Sequence, residues 1–168
     1  NNQNFAICGK TIESLRRNVI TLMPQWLEGI FSITERRSEN KLIITSGGVT
    51  NSYYMFGGKD ESSYTLVQGI TLAGVLFDEV ALMPRSFVEQ AMARCSVDGS
   101  KFWFNCNPGS PQHWFYLEWV RKCRSRKMMY LHFTMDDNLS LAPRIKARYE
   151  GMYTGVFYRR YILGLWVK

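Results

Sequence analysis

Strands alternating with helices along all 168 residues predict an α/β fold, with a parallel or mixed sheet covered by helices on both faces. Three observations carry that expectation. Val75-Leu76-Phe77 is an uncharged apolar run that stops at Asp78-Glu79, as a buried parallel strand does at its carboxyl end. Short runs of apolar or alternating character recur between Gly, Asn, Ser and Pro breakers. Between them lie stretches with apolar residues three and four apart, the spacing of a half-buried helix.

Taken in order, residues 5–8 read as a short buried strand. Residues 11–22 read as a helix with Ile12, Leu15, Val19 and Leu22 on one face, closed by Pro24. Residues 30–34, 41–46 and 53–57 have strand character, and Gly47-Gly48 and Gly57-Gly58 suggest turns. Residues 67–72 lead to the acidic strand, and after Pro84 residues 86–93 have helical spacing, with proline near the start where its missing N–H costs nothing. Residues 101–106 form the next predicted strand, ending in the turn Asn107-Pro108-Gly109-Ser110-Pro111. A helix over 112–121, a strand over 128–133 and two short helices over 143–153 and 156–163 complete the reading.

Composition narrows the class. A chain with 46% hydrophobic residues can build one real core, and no linker, repeat or low-complexity segment divides it, so a single unit over 1–168 is expected. No apolar stretch approaches the ~18 residues of a membrane span and no charged start leads into a signal segment. A soluble, non-secreted, intracellular protein is expected. Cys8, Cys95, Cys106 and Cys123 are scattered without a C-x-x-C pair and the only histidines are His113 and His132, which suggests neither zinc nor disulfides. The net charge of +7 favours a polyanionic partner. Arg121, Lys122, Arg124, Arg126 and Lys127 form the densest basic cluster, which suits DNA phosphates or, equally, the negative pole of a solvated helix end.

Asp78 and Glu79 stand where open α/β sheets bind ligands, just beyond the carboxyl end of a strand. Side by side, one carboxylate can hold Mg²⁺ through water while the other orients and deprotonates an attacking water. Asn105 and Asn107 end the next strand. An amide there can accept from water and donate to a phosphate oxygen at once, though turn chemistry alone also places asparagine beside proline.

Several segments then carry a resemblance. Gln68-Gly69-Ile70-Thr71-Leu72-Ala73-Gly74 running into Phe77-Asp78-Glu79, Asn105-Cys106-Asn107-Pro108-Gly109-Ser110-Pro111-Gln112-His113-Trp114, Asp136-Asp137-Asn138, and Tyr153-Thr154-Gly155-Val156-Phe157-Tyr158 through Gly164-Leu165-Trp166-Val167 resemble, in order, the large terminase subunit of tailed bacteriophages in its PBSX-type branch. The resemblance implies a P-loop NTPase-like (ASCE-type) sheet and the ATPase domain of a viral DNA-packaging motor. It makes Asp78-Glu79 the Walker B pair, Asp78 the Mg²⁺ residue, Glu79 the catalytic base, and Asn105 or Asn107 the coupling residue. It implies ATP as substrate, double-stranded viral DNA, portal protein and terminase small subunit as partners, and a homo-oligomeric ring on the procapsid in the bacterial host cytoplasm.

The phosphate loop of that family, G-x-x-x-x-G-K-[ST], is not matched: Gly9-Lys10-Thr11 has Asn4 where the first glycine belongs, and reads as coincidence. The chain therefore reads as a partial ATPase domain, truncated at both ends, lacking the phosphate-loop strand and the nuclease, and inactive alone. Asp136-Asp137 reads as a turn rather than nuclease chemistry. Arg94 and Lys59 could contact a neighbour's nucleotide, though solvation explains either. Two other readings stay open: a non-enzymatic basic DNA-binding or assembly module, and a helicase-like nucleic-acid ATPase.

Overall fold

In the computed structural model, which describes residues 2–168, the apolar run 5–8 becomes the centre of a six-stranded sheet. This strand, β1 (Asn4–Gly9), pairs in parallel with β4 (Val49–Gly57) on one side and β5 (Gly74–Phe77) on the other. β6 (Lys101–Phe104) pairs in parallel with β5. On the far side β3 (Lys41–Ser46) and β2 (Ser32–Arg36) extend the sheet by antiparallel pairing, giving the order β2-β3-β4-β1-β5-β6. Gly47 and Gly48 both have positive φ (55° and 78°), the backbone a two-residue hairpin between β3 and β4 demands.

Helices cover both faces. α1 (Ile12–Leu15) and a π-helical turn (Arg16–Ile20) bury Leu15 and Ile20 against Ile7, Leu42, Ile44 and Met55. On the opposite face α3 (Arg85–Ala93) packs on β5, with Phe77, Phe87, Val88 and Ala91 fully buried. Each of the Phe and Val side chains contributes about 1.5–3 kcal/mol by leaving water. Gly58 is glycine because Phe87 lies where its Cβ would stand.

Four expectations are corrected. The helix over 11–22 is broken by the π turn, whose i→i+5 bond (Thr21 N–H to Arg16 O, 2.9 Å) inserts a residue into the helical repeat, so Ile20 is buried and Leu22 is exposed. Pro24 does not close it but sits in the first turn of α2 (Met23–Trp26), where no N–H is needed. Gly57-Gly58 is no turn: Gly57 ends β4, and the Gly58 N–H donates to the Gly9 carbonyl across the sheet (2.8 Å). Residues 128–133 form no strand, because no described strand pairs with them in a ladder; Met129, Leu131 and Phe133 are exposed.

The chain divides into two compact units, residues 1–105, which hold the sheet, and 106–168. The second contains a π-helical turn (Tyr116–Val120), α4 (Pro143–Met152), α5 (Gly155–Tyr161) and extended connections. The first unit has ten basic and ten acidic residues and the second eleven and four, so the entire +7 falls on residues 106–168. All four cysteines are free thiols. Burial raises the Cys8 thiol well above its ordinary range, helped by nearby Cys95, and pushes Cys95 and Cys106 each up to about 11. These three are protonated at neutral pH, a poor state for nucleophiles or metal ligands. No helix among the described residues is long and apolar enough to cross a membrane.

Candidate functional site

The register of the parallel strands brings their carboxyl ends to one rim. Gly9 pairs with Gly57, Cys8 with Phe77, and Phe77 with Phe104. Asp78 and Glu79 leave the end of β5 and Asn105 leaves the end of β6, so the acidic doublet and the first asparagine meet at the same edge. The Asp78 N–H donates to the Cys8 carbonyl (2.8 Å), fixing the doublet to the tip of the central strand as well.

Asn105 binds four successive residues of the acidic turn. Its N–H donates to the Phe77 carbonyl (3.1 Å) and its carbonyl accepts from the Val80 N–H (3.0 Å). Its side-chain amide donates to Asp78 Oδ1 (2.9 Å), while its Oδ1 accepts from the Glu79 N–H (2.7 Å). An amide is the one uncharged side-chain group that donates and accepts from adjacent atoms in this way. An aspartate here would set two carboxylates against each other, and a leucine would leave both partners unmet.

Glu79 is held in the left-handed region, at φ 57° and ψ 52°. For a residue with a Cβ this costs on the order of 1–3 kcal/mol and persists only where surroundings impose it. The two side-chain bonds from Asn105, at about 0.5–1.5 kcal/mol each, are of the same size. The conformation turns the chain sharply from β5 into a short 3₁₀ turn, Val80–Leu82, and then into α3. Among the described residues neither carboxylate is in an ion pair, and the Glu79 carboxylate has no hydrogen-bond partner. One Asp78 oxygen and both Glu79 oxygens are thus free to bind water or a hydrated cation.

The other sequence candidates are placed differently. Residues 4–9, which a phosphate loop would need as a curled cradle, are extended and paired on both sides, so their backbone is committed to the sheet. Thr11 caps α1, accepting from the Ser14 N–H (3.1 Å), and Lys10 Nζ donates to the Lys59 carbonyl (2.7 Å), away from β5. Asn107 lies in the second unit, exposed and without a hydrogen-bond partner among the described residues. In the basic cluster Glu118 engages Lys122 (2.8 Å) and, more distantly, Arg126 (3.9 Å), whose guanidinium lies 4.1 Å from the Trp119 ring centre. Arg121, Arg124 and Lys127 remain exposed, and their side chains have no hydrogen-bond or ion-pair partner among the described residues. Arg94 has its Nε buried without a partner and Lys59 is exposed. Asp137 caps its own turn, accepting from the Thr134 N–H (2.6 Å), and Asp136 pairs with Lys146, as turn residues do. No group of three or more His, Cys, Asp or Glu among the described residues could hold a metal ion.

Sequence reasoning missed the left-handed Glu79, the fourfold attachment of Asn105, and the fastening of the Asn107–Pro111 turn to residues 164–167 in the second unit. The proximity of Asn105 to the doublet follows from strand order, which short-range periodicity does not encode. Gly164, which has positive φ, was the one local hint of the last.

The family described as "Terminase large subunit, T4likevirus-type, N-terminal" matches residues 2–168. The chain belongs to the large-terminase family. Its fold is that of solved terminases: the large terminase of a thermophilic bacteriophage in complex with ADP is 58% identical with a TM-score of 0.94, over 99% of this chain and 41% of that one. The same terminase in complex with ATP-gamma-S is 57% identical with a TM-score of 0.91, over 99% and 40%. The large terminase ATPase domain of Thermus phage P74-26 matches at 14% identity and a TM-score of 0.72, over 99% and 77%, a likeness of fold alone. No curated protein matches the chain. This terminase segment thus spans about two fifths of the thermophilic-phage terminase, 41% of its length.

Proposed function

We propose that this terminase segment is a partial ATPase domain that contributes the hydrolytic carboxylates of an ATP-driven motor packaging viral double-stranded DNA. The reading rests on one observation: the Asp78-Glu79 doublet stands at the carboxyl rim with Asn105 clasped around it and both carboxylates outside any ion pair among the described residues. The ADP and ATP-gamma-S complexes of the thermophilic-phage terminase support nucleotide as the ligand class.

In this reading Glu79 takes a proton from the water whose oxygen attacks the γ-phosphorus as the bond to ADP breaks. Asp78, with a single uncommitted oxygen, would hold a hydrated Mg²⁺ through water, and the ion would supply charge to offset that of the phosphates. Asn105 is the better coupling candidate of the two asparagines, because its amide already bridges both acidic residues and any contact that recruits it must loosen them. A phosphate-cradling loop carried on a further strand would find its place at the outer edge of β6, where the described sheet ends. Portal protein, small subunit and a ring of like subunits in the bacterial host cytoplasm complete the motor.

The purified 168 residues are expected to show no Mg²⁺-dependent ATP turnover above background, measured by phosphate release; robust turnover abolished by Glu79→Ala would overturn the partial-domain reading. A second reading, a non-enzymatic DNA-binding module, is favoured by the concentration of all +7 charge on residues 106–168. Here Arg121, Lys122, Arg124, Arg126 and Lys127 would contact duplex phosphates. Replacing Arg121, Arg124 and Lys127 with Ala in the full-length subunit is expected to flatten the log–log salt dependence of DNA binding, by roughly 0.9 for each phosphate no longer neutralised. An unchanged slope removes the cluster from the DNA path. DNA binding that ignores both nucleotide and Asp78 would favour the module over the motor.

A further inference from the structure

The turn Asn107–Pro111 has no strand or helix to hold it, yet it is tied to a segment more than fifty residues away in the chain. The Gly109 carbonyl accepts from the Val167 N–H at 3.1 Å. The Val167 carbonyl in turn accepts twice from Arg160 of α5, from Nε at 3.0 Å and Nη2 at 2.6 Å, in a half-buried position. Trp166 stacks on Tyr116 with ring centres 4.9 Å apart. Upstream, the Leu165 N–H donates to the Arg159 carbonyl (2.9 Å), and the Gly164 carbonyl lies 2.9 Å from His132 Nε2. Gly164 is required twice over, by its φ of 65° and because His132 occupies the place of a Cβ. Residues 164–167 are thus a strap, fastened at every residue, although it belongs to no regular element.

The turn itself is stiff. Pro108 and Pro111 fix their φ angles, the His113 N–H donates to the Ser110 carbonyl (3.0 Å), and the Gln112 N–H donates to Ser110 Oγ (3.1 Å). A stiff turn passes a displacement on instead of absorbing it, and Gly109 is only four residues beyond Asn105 in the chain. Its carbonyl contact is with the strap.

We propose that the Gly164–Val167 strap, with Arg160 and Trp166 as positioning residues, receives the movement of the Asn107–Pro111 turn and couples ATP hydrolysis to DNA movement. This rests on the motor reading above. The test is packaging by the full-length subunit with portal-bearing procapsids, linear duplex DNA and ATP, recording both phosphate release and base pairs packaged. Arg160→Ala and Trp166→Ala are expected to keep DNA-independent ATPase within about twofold of wild type while lowering base pairs moved per ATP by about fivefold or more. Arg160→Lys, which restores a donor, and Trp166→Phe, which restores the stack, should recover most of that ratio. Should either alanine variant fail to fold, Arg160→Gln, which keeps one donor without the second, and Trp166→Leu, which keeps bulk without the stack, decide in its place, each expected to lower the ratio by about twofold or more with hydrolysis unchanged. An unchanged ratio, or packaging and hydrolysis falling in proportion, overturns the proposal. Undiminished hydrolysis by a Glu79→Gln subunit in the same assay would instead overturn the motor reading.

Discussion

Glu79→Gln in the full-length terminase subunit is expected to leave ATP affinity within about threefold of wild type and to cut the hydrolysis rate by about two to four orders of magnitude. Glutamine keeps the shape and can still hydrogen-bond the attacking water, but it cannot accept its proton, so the loss falls on kcat. The structure makes this a clean substitution. The Glu79 side chain has no partner among the described residues, and the Asn105 bond that holds the turn goes to the Glu79 backbone N–H, which glutamine retains. Phosphate release and nucleotide binding on the same preparation check the result. Wild-type hydrolysis in the variant would remove Glu79 from the chemistry and leave the doublet a turn at a strand end.

Asn105→Ala is the second large effect. It removes two hydrogen bonds worth together roughly 1–3 kcal/mol, about what the left-handed Glu79 costs. The balance that holds the turn is therefore lost, while the two backbone bonds of residue 105 keep β6 in register. Glu79 is expected to relax away from its left-handed geometry and Asp78 to lose its orienting donor. A drop in kcat of about 10- to 100-fold is expected, the usual scale for a residue that orients catalytic groups. Asn105→Asp should differ in kind: it retains an acceptor for the Glu79 N–H but sets a carboxylate against Asp78, a repulsion a cation would relieve, so its defect should be steeper at low Mg²⁺. Steady-state kinetics across a Mg²⁺ titration separate the two. An Asn105→Ala subunit with wild-type kcat would show that the clasp is structural only.

Much of this architecture was legible in the chain because the signals are local. The run Val75-Leu76-Phe77 before two carboxylates marks a buried strand and its edge, and Pro84 before an amphipathic stretch marks α3, since burial on both faces and the missing proline N–H act on neighbouring residues. The errors occurred where the deciding partner is distant. The apolar residues 128–133 have strand composition, but a strand exists only if another extended backbone meets its donors and acceptors in a ladder, and no described strand does. A helix of about 3.6 residues per turn would keep Leu15 and Leu22 on one face, and one π turn moves burial to Ile20 instead.

The candidate site divides the same way. The residue types and their order, two carboxylates and then asparagine at successive strand ends, are properties of the sequence, because strand length and breaker positions fix which residues stand at the tips. That β5 and β6 are neighbours, that Asn105 rather than Asn107 grips the doublet, and that Glu79 is driven left-handed were decided only by the tertiary structure. Each depends on contacts between segments far apart in the chain, and a hydrogen bond between them constrains neither segment's own periodicity.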